Sequence, residues 1–226
     1  GRYLSVERRD KDTVLYPCTR EDFENIWKHY FDLTRDYDNL FKNADEYLRE
    51  GMEYGKGLRI LNQQPFETLI SFIISANNNI KRIKGIVLRL CEKYGESFEF
   101  EGREFFKFPT AQVLAAAREE DLKAIGLGYR VPYIKKTANA IKDGFSLDEV
   151  KKLPYIEAKK KLCTLMGVGP KVADCILLFS MEKSEAFPAD VWIKRVLEKL
   201  YGFKGTDKQT VAFALEKFGK NAGFAQ

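Results

Sequence analysis

Two side chains in the second half of the chain have the chemistry to break a bond at a sugar carbon. Lys171 follows the segment Leu165-Met-Gly-Val-Gly-Pro170, and Asp190 ends the segment Glu185-Ala-Phe-Pro-Ala-Asp190. A neutral lysine amine can attack an anomeric carbon and form a covalent imine. An ionised carboxylate stabilises the oxocarbenium-like sugar that forms while a glycosidic bond breaks. Together the two residues predict chemistry at an anomeric carbon.

Each residue also has a purely structural interpretation. Lys171 could be a solvated lysine that pairs with Asp174 on the same helix face, and Asp190 could serve only as the N-cap of the next helix. A nucleophilic lysine must be neutral, and a helix N-terminus contributes only about 0.3 to 1 kcal/mol towards that state. Desolvation must supply the rest. The catalytic interpretation therefore predicts that Lys171 lies in a closed site.

A glycine hairpin would position the lysine. Gly167 and Gly169 can adopt the positive φ angles that a tight connection between two helices needs, and Pro170 suits the first position of the second helix. The free N–H groups around Gly167, Val168 and Gly169 can then bind a phosphate. The sequence thus predicts a helix, a hairpin over 165–171, and a second helix whose first turn carries Lys171 beside a DNA backbone.

The remaining chain has a mostly helical pattern. Two short β-type runs, at 3–8 and 13–16, surround a polar turn and predict a hairpin. Thr19 with Asp22 and Thr206 with Gln209 are candidate capping boxes. The predicted helices lie at about 38–49, 64–75, 79–94, 110–117, 130–142, 155–165, 170–181 and 190–200. Because a lone hairpin is marginally stable and a further helix begins near the last residue, we expect additional chain at both ends.

The composition excludes several classes of function. The 226 residues carry 38 basic and 33 acidic side chains, a net charge of +5 that is compatible with nucleic-acid binding without identifying it. The four cysteines lie far apart without C-x-x-C spacing, which argues against a disulfide framework, a zinc site or a cysteine-ligated cluster. His29 is the only histidine, so a histidine-based triad or a zinc deaminase is excluded. With no apolar run of roughly 18 residues and no signal peptide, we expect a soluble intracellular protein.

Four separated motifs carry a family resemblance. The run Leu165-Met-Gly-Val-Gly-Pro-Lys-Val-Ala-Asp-Cys175, followed by Pro188-Ala-Asp190, resembles the helix-hairpin-helix superfamily of DNA glycosylases. Ser75-Ala-Asn-Asn-Asn-Ile-Lys-Arg-Ile83 and Gly126-Leu-Gly-Tyr-Arg130 are similar to motifs of its 8-oxoguanine DNA glycosylase/AP lyase branch. The resemblance covers about residues 55–226. It implies a mainly α fold with two helical subdomains, in which residues 1–60 are the remnant of a truncated N-terminal antiparallel β domain and residues 61–226 form the glycosylase domain.

The resemblance also implies roles for individual residues at the lesion. Lys171 matches the nucleophile that leaves a Schiff base on the opened sugar, and Asp190 matches its essential carboxylate partner. Cys175 and Gln226 match residues that contact the extruded purine. Where the family often has a histidine that touches the 5′ phosphate of the lesion, this chain has Trp192. The segments that would supply a carbonyl to distinguish 8-oxoguanine and an aromatic ring opposite Cys175 would lie before Gly1 and after Gln226.

Other matching residues would act on the duplex around the lesion. Tyr129 matches an aromatic wedge, and three residues match groups that hydrogen-bond the cytosine opposite the lesion: Asn77, Arg82 and Arg130. Simpler interpretations are available for each of them. A tyrosine is commonly a core aromatic, asparagines cap helices, arginines are usually solvated, and Cys175 could be only a small buried hydrophobic residue.

The resulting hypothesis is a base-excision enzyme that binds double-stranded DNA containing 8-oxoguanine opposite cytosine. Lys171 would displace the extruded base, and β-elimination would then nick the strand, with no cofactor and with at most a structural cation at the hairpin. We expect a monomer that acts with DNA inside the cell and does not bind membranes. Two alternatives stay open: a glycosylase of the same superfamily for another damaged base, and a helix-hairpin-helix DNA-binding module without catalytic activity.

Overall fold

The computed structural model describes residues 3–10, 12–41 and 44–226, and most of them are helical. The predicted mainly α fold is therefore confirmed. A first helical segment runs through Arg20–Asp22, Phe23–Trp27 and Lys28–Tyr30, and its middle part has π-helical hydrogen bonding. The later α-helices are Glu46–Tyr54, Pro65–Ser75, Ile80–Tyr94, Ala111–Ala116, Glu119–Ala124, Val131–Lys142, Leu147–Lys152, Tyr155–Leu162, Pro170–Ser180, Val191–Tyr201, Asp207–Phe218 and Ala222–Ala225, with 3-10 turns at Gly128–Arg130 and Gly219–Asn221. In the part of the chain that the structure describes, no helix has both the length and the apolar character to cross a membrane.

Side-chain caps fix where several helices begin. The Thr19 hydroxyl accepts a hydrogen bond from the backbone N–H of Asp22 at 3.0 Å, and Thr206 forms a complete capping box with Gln209, as predicted. The range predicted for the helix at 38–49 is wrong, because the observed helix is Glu46–Tyr54. Asp45 sets that start, since its carboxylate accepts a hydrogen bond from the backbone N–H of Leu48 at 2.9 Å.

The predicted N-terminal hairpin is present and is not isolated. Strands Ser5–Arg9 and Asp12–Tyr16 pair antiparallel, with Val6 opposite Leu15. A second antiparallel pair, Ser97–Phe100 with Arg103–Phe106, was not predicted from the sequence. Glu101 and Gly102 at its turn both have positive φ angles, of 49° and 69°, as a tight hairpin requires. The ring of Tyr3 stacks on Phe98 with centroids 3.4 Å apart, so the two hairpins pack against each other.

Two clusters of buried apolar side chains meet near the predicted site. The larger cluster is built on the helices Pro65–Ser75, Ile80–Tyr94, Val131–Lys142 and Pro170–Ser180 and includes Ala186. The smaller cluster contains Phe187, Ala189, Leu197, Ala214 and Ala222. The loop that leads to Asp190 therefore passes from one cluster to the other. Lys171 lies on a helix of the larger cluster, and Asp190 begins a helix of the smaller one.

Candidate active site

The glycine hairpin joins the helices Tyr155–Leu162 and Pro170–Ser180. Gly167 has a φ of +85°, but Gly169 has a φ of −87° and acts as the N-cap residue. The prediction that both glycines adopt positive φ is therefore correct for Gly167 and wrong for Gly169. Pro170 is the first residue of the helix, as predicted. A Cβ atom added at Gly169 would have no heavy atom within 4 Å, so the N-terminus of this helix is open to a ligand.

The hairpin rests on the helix Val131–Lys142. The hydroxyl of Thr137 donates a hydrogen bond to the backbone carbonyl of Met166 at 2.9 Å. Gly167 lies so close to Tyr133 that an added Cβ would be 2.9 Å from the Tyr133 Cβ. Both contacts fix the turn against the body of the protein. They explain why glycine is needed at position 167 for space as well as for its backbone angle.

Lys171 is exposed, as its simpler interpretation expects, but it is not paired with Asp174. The carboxylate of Asp174 is 1% exposed, accepts a hydrogen bond from the Tyr155 hydroxyl at 2.8 Å, and lies 2.6 Å from Nζ of Lys159. Burial raises the pKa of Asp174, and the hydrogen bonds and positive charge of its partners oppose that rise. Burial and the neighbouring Asp174 charge together raise the pKa of Tyr155. Among the described residues, the Lys171 amine has no hydrogen-bond or ion-pair partner.

The prediction of a closed site around Lys171 is wrong for the chain without DNA. Lys171 lies in the first turn of its helix and is exposed. The protein alone therefore leaves this residue open to water in the structure.

Asp190 caps the helix Val191–Tyr201, as expected. Its Oδ1 accepts a hydrogen bond from the backbone N–H of Ile193 at 2.8 Å, and the residue is half-buried. Within the described ranges, the second carboxylate oxygen has no hydrogen-bond partner. Capping and substrate contact can therefore use different oxygens of the same carboxylate.

The charges of Lys171 and Asp190 both affect the pKa of the buried Cys175 thiol. Its thiol is 6% exposed, and burial raises its pKa to about 12. The charge of Lys171 lowers this pKa, whereas the charges of Asp174 and Asp190 raise it. Lys171 and Asp190 thus both lie near one buried thiol, although they come from different helices. Cys175 stays protonated at neutral pH and offers an apolar, uncharged surface.

Gln226 lies in an adjoining groove. It follows the short helix Ala222–Ala225, which contacts the loop before Asp190 through a 2.8 Å hydrogen bond from the Gly223 N–H to the Ser184 carbonyl. Gln226 is exposed and lines a groove of about 910 Å³ between the helices Glu46–Tyr54 and Val191–Tyr201. Lys171, Cys175 and Asp190 do not line this groove. Gln226 therefore lies near the loop that ends at Asp190, but it does not share a cavity with Lys171.

The residues predicted to act on the opposite strand form a second group. Arg130 is 2% exposed, and its Nη2 donates hydrogen bonds to the backbone carbonyls of Ala76 and Asn77. The Tyr129 hydroxyl donates to the same Ala76 carbonyl at 3.3 Å, and Arg82 donates to the Gly126 carbonyl at 3.3 Å. Tyr129 and Arg130 therefore contact the backbone of residues 76–77, and Arg82 contacts the backbone of Gly126, three residues before Tyr129.

The simpler interpretations of this group fail for Tyr129 and Arg130. Tyr129 is 55% exposed and is not a core residue. Arg130 is buried and not solvated, and its Nε has no hydrogen-bond partner. The interpretation of the asparagines as a helix stop and start holds, because Asn77 follows the end of the helix Pro65–Ser75 with a left-handed φ of 50° and Asn79 caps the helix Ile80–Tyr94. Two further simple interpretations hold, an exposed charge for Arg82 and a small buried side chain for Cys175, and both are compatible with DNA contact.

Tyr133 links the two groups and was missed in the sequence. Its ring lies edge-on to that of Tyr129, with centroids 6.0 Å apart, and its Cβ contacts the backbone of Gly167. Its position one helical turn after Tyr129 is the signal that could have indicated it. Trp192, which replaces the expected histidine, is 69% exposed, and the Arg195 guanidinium lies 5.0 Å from its ring centroid.

No group of three or more metal-ligating His, Cys, Asp or Glu side chains occurs in the described ranges. A cation held by the carbonyl groups of the hairpin does not depend on such a group. The hairpin cation therefore stays a prediction.

Comparison with known proteins agrees with this geometry. Residues 70–221 match the family of HhH-GPD superfamily base excision DNA repair proteins, and residues 1–69 match the N-terminal domain of 8-oxoguanine DNA glycosylase. A probable N-glycosylase/DNA lyase of Methanothermobacter thermautotrophicus is 34% identical over 92% of this chain, which spans 72% of that relative. An N-glycosylase/DNA lyase of Arabidopsis thaliana is 37% identical over 82% of this chain, which spans only 54% of that relative.

A solved structure agrees over almost the whole chain. The 8-oxoguanine glycosylase/lyase of Clostridium acetobutylicum in its apo-form superimposes with a TM-score of 0.94 and 42% identity, covering 99% of this chain and 80% of the other. The same Clostridium protein has been solved with double-stranded DNA that contains cytosine opposite 8-oxoguanine. These relatives have the enzyme class that the sequence predicted, and the predicted family is confirmed. The chain belongs to the HhH-GPD superfamily of base excision DNA repair proteins, with the N-terminal domain of the 8-oxoguanine DNA glycosylases.

Proposed function

We propose that this chain removes 8-oxoguanine from duplex DNA and then nicks the strand through a Schiff base on Lys171. The observation that carries the proposal is the unpaired Lys171 amine beside an open helix N-terminus, with Asp190 and Cys175 close by. The relatives named above, all glycosylase/lyases, support it.

The chemistry needs only side chains of the chain and water. Nζ of neutral Lys171 bonds to C1′ while the glycosidic bond breaks. The electron pair of the glycosidic bond leaves with the purine, which takes up a proton. The ionised Asp190 carboxylate stabilises the positive charge that builds on the sugar. Opening of the sugar ring gives the imine, and loss of a C2′ proton expels the 3′ phosphate. Water then hydrolyses the imine and restores the lysine.

Because Lys171 is exposed in the free chain, the bound DNA would have to exclude water from it. The N–H groups at the hairpin would hold a backbone phosphate, and the extruded nucleotide would then cover the lysine. Water is excluded from the amine only in that complex, and a neutral lysine is favoured once its charge is desolvated. The free enzyme would therefore keep a solvated, unreactive lysine, and the substrate would complete the closed site.

The second group of residues would read the opposite strand. Tyr129, exposed and close to Arg130, would enter the gap that the extruded nucleotide leaves. Cytosine presents acceptors on its pairing edge, and arginine supplies donors to them. The exposed Arg82 can reach such a base directly. The Tyr129 ring lies over the buried Arg130 guanidinium, 4.4 Å from its centroid to the guanidinium carbon, so movement of the ring into the duplex would uncover Arg130.

On the lesion strand, the protonated Cys175 thiol would lie against the extruded purine and Gln226 would read its pairing edge. An apolar thiol suits the face of a base, and an amide can donate and accept on the base edge. Gln226 enters this model through its position beside the Asp190 loop.

The test uses duplexes that carry 8-oxoguanine opposite each of the four bases. Wild-type protein should release 8-oxoguanine, nick the strand, and form an adduct that borohydride traps, with cytosine as the preferred partner. Lys171→Gln should abolish release and trapping while DNA binding persists. Lys123→Gln, a change of an exposed lysine away from the site, is the matched control and should behave as wild type. Adducts that still form in Lys171→Gln would refute the assignment.

The same assay separates the two alternatives. Duplexes with alkylated purines, oxidised pyrimidines or adenine opposite 8-oxoguanine would be cut preferentially by a glycosylase for another base. A DNA-binding module without catalytic activity would bind all of these duplexes and cut none of them.

A further inference from the structure

We propose that Arg35 is a positioning residue that sets the place of Gln226 through the ring of Phe224. The inference rests on the function proposed above, in which Gln226 reads the damaged base. It assigns a part in lesion recognition to the N-terminal segment of the chain, far in sequence from every motif of the site.

The helix that carries Gln226 depends on contacts with other segments. Ala222–Ala225 is a single turn, and a helix this short has no stability of its own in water. On one side, Gly223 fits against the loop before Asp190 so closely that an added Cβ would be 2.5 Å from the Ala186 carbonyl oxygen. On the other side, the Asn221 side chain donates a hydrogen bond to the Leu40 carbonyl at 2.9 Å. The position of Gln226 is therefore decided by its neighbours.

The Phe224 ring is held between two side chains of the N-terminal segment. The guanidinium carbon of Arg35 lies 4.8 Å from the ring centroid, within the range of a cation–π contact. The ring of Tyr37 meets Phe224 edge-on, with centroids 5.5 Å apart. Phe224 is separated from Gln226 by one residue only, so a shift of this ring moves the start of the Gln226 backbone.

Asp32 fixes both of these side chains. Its carboxylate is almost fully buried, lies 2.6 Å from Nε of Arg35, and accepts a hydrogen bond from the Tyr37 hydroxyl at 2.9 Å. A buried, charge-assisted hydrogen bond of this kind restricts the guanidinium to one orientation. Arg35 is therefore oriented by its carboxylate partner before it contacts Phe224.

Backbone contacts hold the segment that carries Asp32. Nη1 of Arg59 donates a hydrogen bond to the Asp32 carbonyl at 2.6 Å, and its guanidinium carbon lies 4.8 Å from the Tyr37 ring centroid. Asp32 has a φ of 51°, which an aspartate rarely adopts. The combination of a left-handed backbone and a buried carboxylate is more than a surface ion pair needs, and it presents Arg35 rigidly to Phe224.

The experiment compares two reactions of the same protein. Excision of 8-oxoguanine opposite cytosine requires the base to be read, whereas nicking at a preformed abasic site uses the same lysine without a base. Arg35→Met, which keeps the aliphatic stem, should slow single-turnover excision by about ten- to a hundredfold, the effect of a misplaced contact group. Nicking of abasic DNA by this variant should match wild type.

Matched controls separate positioning from folding. Arg118→Met is the control for an ion pair of the same kind, because Nε of Arg118 lies 2.8 Å from the carboxylate of Asp121, three residues away. This variant should leave both reactions unchanged. Phe224→Leu should reproduce the effect of Arg35→Met. In the double variant Arg35→Met with Gln226→Ala, excision should be no slower than in Gln226→Ala alone, because Arg35 acts through Gln226.

The outcomes distinguish failure of the positioning role from failure of the proposed function. Equal loss of excision and abasic nicking in Arg35→Met, additive loss in the double variant, or unchanged excision would overturn the positioning role. A wild-type protein that neither excises 8-oxoguanine nor nicks abasic DNA would instead refute the proposed function. Loss of excision alone, absent from the Arg118 control, supports the inference.

Discussion

Nζ of Lys159 lies 2.6 Å from the Asp174 carboxylate, and this pairing leaves Lys171 on the same helix without an anionic partner among the described residues. Asp174 is buried, so its charge needs a partner at short range. Because Lys159 comes from the first helix of the hairpin and Asp174 from the second, the pair ties both helices together. The Tyr155 hydroxyl adds a third contact to the same carboxylate. The lysine that we propose as the nucleophile is thus not engaged in this ion pair.

Substitution at Asp190 should separate capping from catalysis. Asparagine caps helices as well as aspartate does, so Asp190→Asn should unfold at nearly the wild-type temperature and bind DNA normally. Its excision rate should fall sharply, because the neutral amide does not stabilise a positive sugar. Asp190→Ala loses the cap as well and should cost about 0.5 to 2 kcal/mol of unfolding free energy. An Asp190→Asn protein with wild-type excision would remove the residue from the mechanism.

The two glycines of the hairpin should differ in their response to alanine. Gly167→Ala places a Cβ 2.9 Å from the Tyr133 Cβ at a φ of +85°, so we expect a loss of about 1 to 3 kcal/mol of unfolding free energy and weaker DNA binding. Gly169→Ala has free space and an ordinary φ, and its stability should stay close to wild type. Denaturant unfolding of both variants measures the difference. Equal stabilities would contradict the assigned contact with Tyr133.

The two arginines of the second group should affect different quantities. Arg82→Met should change unfolding free energy by less than about 0.5 kcal/mol, because Arg82 is exposed. Its preference for cytosine over other opposite bases should fall about tenfold, as expected from one lost charge-assisted hydrogen bond. Arg130→Met should reduce the same preference and also destabilise the fold by about 1 to 3 kcal/mol, since the buried guanidinium and its hydrogen bonds to the Ala76 and Asn77 carbonyls are lost.

Arg103→Met, on the exposed second hairpin, is the control for both arginines. It should keep both the stability and the opposite-base preference of wild type. An unchanged preference for cytosine in Arg82→Met and Arg130→Met would remove both arginines from opposite-base reading.

Cys175 should be the slowest cysteine to alkylate. Burial raises the pKa of its thiol to about 12, so at pH 8 only a very small fraction is the reactive thiolate. Iodoacetamide labelling followed by mass spectrometry should modify Cys18, Cys91 and Cys163 before Cys175, because those three side chains are partly accessible. The labelling rate of Cys175 should rise with pH while the fold persists. Similar rates for Cys175 and Cys18 at pH 8 would show that the thiol is not buried as described.

The ion pair of Glu182 should contribute a pH-dependent part of the stability. Burial raises the pKa of Glu182, but the hydrogen bond and charge of Lys151 outweigh it, and the net pKa lies below the ordinary value. A depressed carboxyl pKa stabilises the fold above the unfolded value of about 4.3, and the stabilisation disappears as the pH falls through the folded pKa. Wild type should therefore exceed Glu182→Gln in unfolding free energy at pH 7, with the difference shrinking below about pH 4.

Glu149→Gln provides the comparison for Glu182. Glu149 pairs with Lys152 on an exposed helix face, where an ion pair contributes little. Urea unfolding of the three proteins between pH 7 and pH 3 makes the measurement. A constant difference between wild type and Glu182→Gln across this range would show that the ion pair is not the source.

The sequence predicted the long helices well because their signals are local. Pro65–Ser75 and Ile80–Tyr94 begin at a proline and at an asparagine cap, and the predicted ranges differ from them by one residue. The hairpin at 97–106 was missed because each strand has only four residues, so the alternation of polar and apolar residues in the first strand is too short to indicate a strand by itself. Its partner, Tyr3, lies far away in the sequence.

The candidate site was predictable only in part. The order of the motifs indicated the family and the residues, but their roles in this chain stay predictions. The burial of Arg130 depends on two carbonyl groups more than 50 residues away, which no local pattern shows. The closed site was predicted from the chemistry of Lys171 alone, and the structure of the free chain does not have it. The contact between Arg35 and Phe224 joins residues that are far apart in the sequence, so no motif predicted it.

The anchoring of Arg130 has a practical consequence for redesign. Both of its acceptors are peptide carbonyls, so exchanging the side chains at positions 76 and 77 leaves the anchor points intact as long as the backbone keeps its course. Residues that tolerate the left-handed angle of Asn77, such as glycine or aspartate, satisfy that condition. A library built at these two positions can therefore vary the side chains beside the proposed reader of the opposite base while the guanidinium stays in the same place.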